Sequence, residues 1–178
     1  MLSNHETDEP VGAPPLAGEG IAAAGTYVTF DLAGQTLGVN VAHVREILDQ
    51  ISINRLPNTP HGIEGVVDIR GESIPIVDMG SQLGMPRMED GEDTRIIVFE
   101  LEKDGAVRPL GVLADRVRDV TQINNDEIEE TPMIVGADWQ SDLLNGFARH
   151  AGLLIFLLNV DRVFSTGVHA GELDAMYL

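Results

Sequence analysis

Hydrophobic residues in this chain fall in short, strand-sized runs. Beginning at Thr26, Val28, Phe30 and Leu32 alternate with Tyr27, Thr29 and Asp31, the period of two that lays one strand face against a core. Ala33-Gly34-Gln35 then turns the chain into Thr36 to Val39, which predicts a hairpin. Further on, Val66 to Ile69 and Ile74 to Val77 flank the polar insert Arg70-Gly71-Glu72-Ser73. Short β-branched runs split by a Gly-containing turn predict a second hairpin. Val67 and Ile69 share one face of its first strand, Ile74 and Ile76 one face of its second. Asp68 and Arg70 fall on the opposite face, away from the core. Pro75 has no N–H, which assigns it to an edge or to a non-bonded ladder position.

Between the hairpins, Asn40 is placed to cap a short helix with Val41, Val44 and Leu48 on one face and Ile47 beside them. Ile51 and Ile53 alternate as a further strand, ended by Leu56-Pro57-Asn58-Thr59-Pro60. A Ser81-Gln82-Leu83 turn and an acidic loop, Glu89 to Asp93, follow. Ile96 to Leu101 predicts a strand, Glu102 to Arg108 a polar loop, and Pro109 to Val112 a returning strand. The last strands are expected at Leu143 to Ala148 and Leu153 to Leu158. The latter is apolar throughout, as in a strand buried on both faces. Asn159-Val160-Asp161 starts a short helix through Phe164.

The order repeats. Gly38-Val39 and Gly111-Val112 are each followed, after four residues, by Val-Arg-acid-β-branched: Val44-Arg45-Glu46-Ile47 and Val117-Arg118-Asp119-Val120. Upstream, Phe30-Asp31-Leu32 matches Phe99-Glu100-Leu101. Two similar small β-units are expected, the second beginning near residue 95. Neither would bury enough surface alone, so they are expected to pack together. Residues 1–25 mix Gly, Ala, Pro and acids without periodicity and are expected to form a disordered arm. Residues 26–165 carry the folded body and residues 166–178 a tail.

Charge narrows the function. Asp and Glu number 29 against 11 Lys and Arg, a formal charge of −18 over 178 residues. That field repels phosphate backbones and anionic membranes, which argues against nucleic acid as a partner and favours partners with basic patches. No run of apolar residues is long enough to span a bilayer. There is no cysteine, hence no disulfide, thiolate nucleophile or cysteine zinc site. Aromatic residues make up 4% of the chain, too few for base stacking or an aromatic peptide groove. The histidines, His5, His43, His61, His150 and His169, form no ligand spacing, and no metal or other cofactor is expected. Asp68 and Asp78 flank the second hairpin and are the candidates for an alternative reading, an acidic β-barrel hydrolase or metal-dependent enzyme. No nucleophile elbow or phosphate loop accompanies them.

The run Gly65-Val66-Val67-Asp68-Ile69-Arg70-Gly71-Glu72-Ser73-Ile74-Pro75-Ile76-Val77-Asp78 closely resembles the signature hairpin of the CheW family of bacterial chemotaxis coupling proteins. The resemblance covers Thr26 to about Ser165. It is strongest over Gly38–Leu48, Asn58–Met79 and Gly111–Ile123, with support from Leu143 to Gly146 and Leu154 to Phe164. It implies an all-β fold of two packed, five-stranded SH3-like β-barrels with short helices, and a non-catalytic, cytoplasmic adaptor without cofactor. Such adaptors join chemoreceptor cytoplasmic tips to the regulatory domain of a CheA-type histidine kinase in membrane-associated arrays.

By position, the resemblance assigns receptor contact to Val44, Gly111, Val117 and Val120, and coupling sensitivity to Gly65 and Arg70. It assigns kinase contact to Glu46 and Ile47. Arg70 either bonds a partner or braces its own hairpin through Asp68 or Glu72. The valines either line a groove for an apolar helix face or fill the core between barrels. Glu64 stands where family members can carry a basic residue, and the acidic N-terminal arm lies outside the family pattern.

Overall fold

The structure, a computed structural model, describes residues 23–49, 51–59, 62–86, 89–130 and 141–166. The proposed N-terminal arm and C-terminal tail lie almost wholly outside them. The first half contributes β1 (Gly25–Leu32), β2 (Gln35–Asn40), β3 (Val44–Asp49), β4 (Ile63–Ile69), β5 (Glu72–Val77) and the one-turn helix α1 (Met79–Gln82). The second contributes β6 (Arg95–Lys103), β7 (Ala106–Ala114), β8 (Arg116–Ile123), β9 (Ile128–Glu129), β10 (Leu144–His150), β11 (Leu153–Leu158) and α2 (Val160–Thr166).

Among the described residues four hairpins close through two residues, Ala33-Gly34, Arg70-Gly71, Asp104-Gly105 and Ala151-Gly152, each with both φ angles positive. This is the turn whose twist matches that of the strands it joins. Two expectations contract accordingly. Glu72 and Ser73 belong to β5, and the expected polar loop 102–108 is paired strand up to Asp104-Gly105.

The strands sort into two sheets, in the orders β8-β1-β2-β11-β10-β9 and β3-β6-β7-β5-β4. Residue 95 therefore opens a second copy of the sequence pattern but lies inside the five-stranded sheet. Each half lends its first hairpin to the other half's sheet. β1-β2 joins the second half's strands through the parallel pair β2–β11, and β6-β7 joins the first half's through β7–β5. The other sheet has six strands where five were expected, because two-residue β9 pairs with β10.

Side chains close each sheet across the gap that its backbone ladder leaves. In the five-stranded sheet Arg70, at the β4–β5 turn, reaches Glu46 on β3, and Glu72 reaches Arg45. In the other, Thr121 on β8 meets His150 on β10. Each sheet thus curls into a small SH3-like barrel with its own apolar interior. One is filled by Tyr27, Ile123, Ala148, Ile155 and Leu157, the other by Val67, Ile69, Ile74, Ile76, Ile96 and Val98. A third, larger cluster lies between the barrels and includes Phe30, Val39, Ile97, Phe99, Leu158 and Phe164.

The central strands serve two cores at once, which explains their unbroken apolar runs. Ile96 and Val98 point into one barrel while Ile97 and Phe99 face the other barrel; Ile155 and Leu157 alternate with Phe156 and Leu158 in the same way. Full burial of a side chain of this size contributes about 1.5–3 kcal/mol. Pro75 lies in an interior strand rather than at an edge. It faces Val66, whose N–H and C=O both bond Asn54, so the pair exchanges no bond with Pro75.

Two other expectations give way to pairing. The predicted helix over Val41 to Leu48 is one 3₁₀ turn, Val41–His43, followed by β3. Asn40 caps the turn as expected, accepting the Ala42 N–H at 2.9 Å, but Val44 to Asp49 pair with β6. Backbone bonds to a waiting strand outweigh a short helix with no tertiary support. The expected strand at Ile51 and Ile53 is reduced to a single bridge, Asn54 with Val66.

Candidate partner-binding site

The residues singled out in sequence separate into three settings. The glycines are internal. Gly65 is buried at a bulge in β4 with φ 147°, and a Cβ there would come within 2.3 Å of the Asn54 carbonyl oxygen. Only a residue without a side chain lets the 51–54 segment approach that closely. Gly111 is buried in β7, where a Cβ would stand 2.4 Å from Ile76 Cδ1 and 3.2 Å from Ile96. Both positions serve packing and offer no side-chain surface.

The valines divide. Val44 and Val117, equivalent in the repeat, are half-buried and pack against the cluster between the barrels, each on an outer strand of its sheet. Val120 is 52% exposed and Ile47, its counterpart in the repeat, 39%. Two apolar side chains therefore stand open on edge strands of different barrels.

The polar residues form a clasp. Arg70 donates to Glu46 Oε1 at 2.6 Å. Beside it Arg45 meets Glu72 at 2.9 Å and approaches Glu46 at 3.8 Å. Hydrogen bonding to the Glu72 carboxylate pushes the Arg45 guanidinium above its ordinary value. Neither brace expected for Arg70 is used. Asp68 instead accepts the Gly71 N–H at 3.0 Å, closing the turn, and Glu72 is taken by Arg45. Arg70 itself has φ 52°, a left-handed conformation that costs a side-chain-bearing residue about 1 kcal/mol. The turn holds the guanidinium outward, 69% exposed. It presents a charge to solvent while one Nη2 N–H remains on Glu46.

Sequence reasoning left out Arg45 and offered Glu72 to Arg70 instead; together Arg45 and Glu72 supply the second rung of the clasp. The repeated Val-Arg-acid pattern was the available signal: Arg118, the counterpart of Arg45, is likewise paired, to Asp31 at 2.6 Å. That bond raises the Arg118 guanidinium above its usual value. The two aspartates of the enzyme reading are engaged locally. Asp68 holds the turn, and Asp78 caps α1 through the Ser81 N–H at 3.3 Å. Among the described residues no group of three or more His, Cys, Asp and Glu is placed to hold a metal ion, and no helix is long and apolar enough to cross a membrane.

Residues 26–167 match the family model described as the CheW-like domain. The chain is 31% identical over 137 residues to chemotaxis protein CheW of Rhizobium meliloti (strain 1021), covering 77% of this chain and 85% of that protein. A probable chemotaxis protein CheW of Rhizobium etli is also 31% identical, over 144 residues, covering 78% and 86%. Among solved structures, the scaffolding protein TtCheW of Thermoanaerobacter tengcongensis superposes with a TM-score of 0.67 at 27% identity, over 80% of this chain and 89% of that one. The family match runs through both barrels and takes in the clasp and both open apolar positions; the chain belongs to the CheW family.

Proposed function

We propose that this non-catalytic adaptor of chemotaxis signalling binds two partners through two faces. Chemoreceptor tips dock where the barrels meet, against Val44, Val117 and Val120. The regulatory domain of a CheA-type kinase docks along β3, against Glu46 and Ile47. The observation that carries this reading is the pair of open apolar side chains, Ile47 and Val120, on outer strands of separate barrels. A tip built as a helical hairpin offers an apolar helix face of the kind a valine-lined crevice accepts. The formal charge of −18 favours partner surfaces that carry basic groups and speeds their approach.

Arg70 fits this scheme as a link. Its bond to Glu46 joins the position assigned to receptor coupling to the one assigned to kinase contact. A partner carboxylate that recruits Arg70 would change the pairing of Glu46. Such a link transmits a signal only if the partner's two states contact the clasp unequally.

The test is titration of the intact chain with a receptor-tip fragment and, separately, with a kinase regulatory domain. Each is expected to bind with a Kd of about 10–100 micromolar or tighter, the range of transient signalling contacts. Absence of binding to both would end the reading. Reconstitution with receptor and kinase then shows whether the chain stimulates the kinase or only occupies it.

A further inference from the structure

The repeat allows the two barrels to be compared residue by residue. In the five-stranded barrel Leu48 of β3 and Ile69 of β4 contribute to the apolar interior. Extending the repeat by one residue along β3 and β8, and counting back from the equivalent turns Arg70-Gly71 and Ala151-Gly152, the matching positions in the other barrel are Thr121 of β8 and His150 of β10. One end is thus sealed by hydrocarbon, the other by a hydroxyl and an imidazole.

Polar groups partly withdrawn from water are better held with partners, and these half-buried groups have them. The His150 ring lies with Nδ1 2.7 Å from Glu127 Oε1 and Nε2 3.0 Å from Thr121 Oγ1. A carboxylate only accepts, so Nδ1 carries a proton; in the neutral ring Nε2 then accepts from the Thr121 hydroxyl. Glu127 is fixed in turn by the Asn124 N–H at 2.8 Å. The bonds therefore converge on the Glu127 carboxylate, from the Asn124 N–H on one side and from Thr121 through His150 on the other, and the second arm ends on β8.

β8 and β10 are not neighbours in the sheet; β1, β2 and β11 lie between them. The Thr121–His150 bond crosses the seam that the backbone ladder leaves open. Thr121 directly follows Val120. Among the described residues the corresponding seam of the other barrel has two ion pairs, Arg70–Glu46 and Arg45–Glu72, whereas Ala151 and Leu153 stand at the positions of Arg70 and Glu72.

We propose that His150, oriented by Glu127, is a positioning residue that holds β8 through Thr121 and so sets the presentation of Val117 and Val120 to the receptor tip. This rests on the reading of the receptor face given above. Removal of the bond loosens one partner surface and leaves the other in place, since β3 belongs to the other barrel.

The experiment uses the intact chain and four variants: Thr121→Val, Thr121→Ser, His150→Ala and Val120→Glu. Binding of a receptor-tip fragment and of a kinase regulatory domain is measured for each, with hydrogen exchange of β8 and β3 amides. Thr121→Val and His150→Ala are expected to weaken tip binding roughly three- to tenfold, the equivalent of one or two hydrogen bonds. They are also expected to speed exchange in β8 and leave kinase-domain binding and β3 exchange unchanged. Thr121→Ser, which keeps the hydroxyl, is expected to behave as the parent chain. If Val120→Glu weakens tip binding while Thr121→Val and His150→Ala do not, the positioning role is wrong and the receptor face stands. If both bindings fall together with the melting temperature, the bond is only structural and the proposal is overturned. If Val120→Glu itself leaves tip binding intact, the receptor face is misplaced and the proposal falls with it.

Discussion

Ile47 and Val120 occupy the same place in the two halves of the repeat, and both turn an apolar side chain to solvent from an outer strand. Equivalent geometry on two barrels gives one small protein two similar edges with an exposed apolar side chain. Substitution of one edge at a time separates them. Ile47→Lys is expected to reduce kinase-domain binding at least tenfold and leave tip binding unchanged; Val120→Glu is expected to do the reverse. A central apolar anchor commonly contributes about 2 kcal/mol or more to an interface, while an exposed substitution moves stability by about 0.5 kcal/mol or less. Calorimetric titration with thermal melts on the same samples checks both halves of the expectation.

Arg70 carries a different load. Its pair with Glu46 is largely solvent-exposed on the arginine side, and exposed pairs contribute about 1 kcal/mol or less. Arg70→Glu is therefore expected to abolish kinase control in a reconstituted assay while lowering the melting temperature by only about 2–4 °C. The charge-swapped double variant, Glu46→Arg with Arg70→Glu, restores the pair with opposite polarity. It is expected to recover the stability but not the signalling, because partners would meet the charges in the wrong places. Loss of more than about 10 °C in the single variant would make Arg70 a structural residue.

For the glycines the expected outcome is loss of stability. Gly65→Ala places a Cβ against the Asn54 carbonyl at a backbone angle that side chains avoid, and is expected to cost about 3 kcal/mol or more. Gly111→Ala meets the tip of Ile76, a movable side chain, and falls within the overpacking range of about 1–3 kcal/mol. Urea unfolding ranks the two. If the Gly65 variant proves as stable as the parent chain and still fails to couple, the position is a contact after all.

These outcomes bear on how much the chain reveals before it is folded. The inward faces of β4 and β5, the Arg70-Gly71 turn and the repeat itself were legible, because each is written in local spacing; β11 is buried on both faces only from Ile155 on, and Leu153 and Leu154 are exposed. The exchange of hairpins between halves was not legible, since β2–β11 and β5–β7 are distant parallel pairs and no period records a strand's partner. The misread helix is the more instructive case. β3 alternates half-buried and exposed residues, but it turns Glu46 inward and Ile47 outward, the reverse of what a strand pattern rewards. The half-buried, ion-paired Glu46 and the exposed Ile47 are what hid the strand, because they invert the apolar alternation by which a strand is read. The polar end of the other barrel was equally hidden, because the partners of Thr121 and His150 come from different elements.

Acid should reveal that polar end. The Asn124 N–H, and after it the His150 ring, hold the Glu127 carboxyl below its ordinary value. A carboxyl that titrates lower in the folded chain than in the unfolded one favours folding fully above the unfolded value, near pH 4. That contribution fades as pH falls through the folded value. Glu127→Gln keeps the shape and removes the titration. The parent chain is therefore expected to be more stable than the variant at pH 6–7, and the gap to close below about pH 4. Urea unfolding of both chains across that range measures it. A gap that persists unchanged into acid would mean that the carboxylate charge contributes nothing, and that Glu127 holds His150 by shape alone.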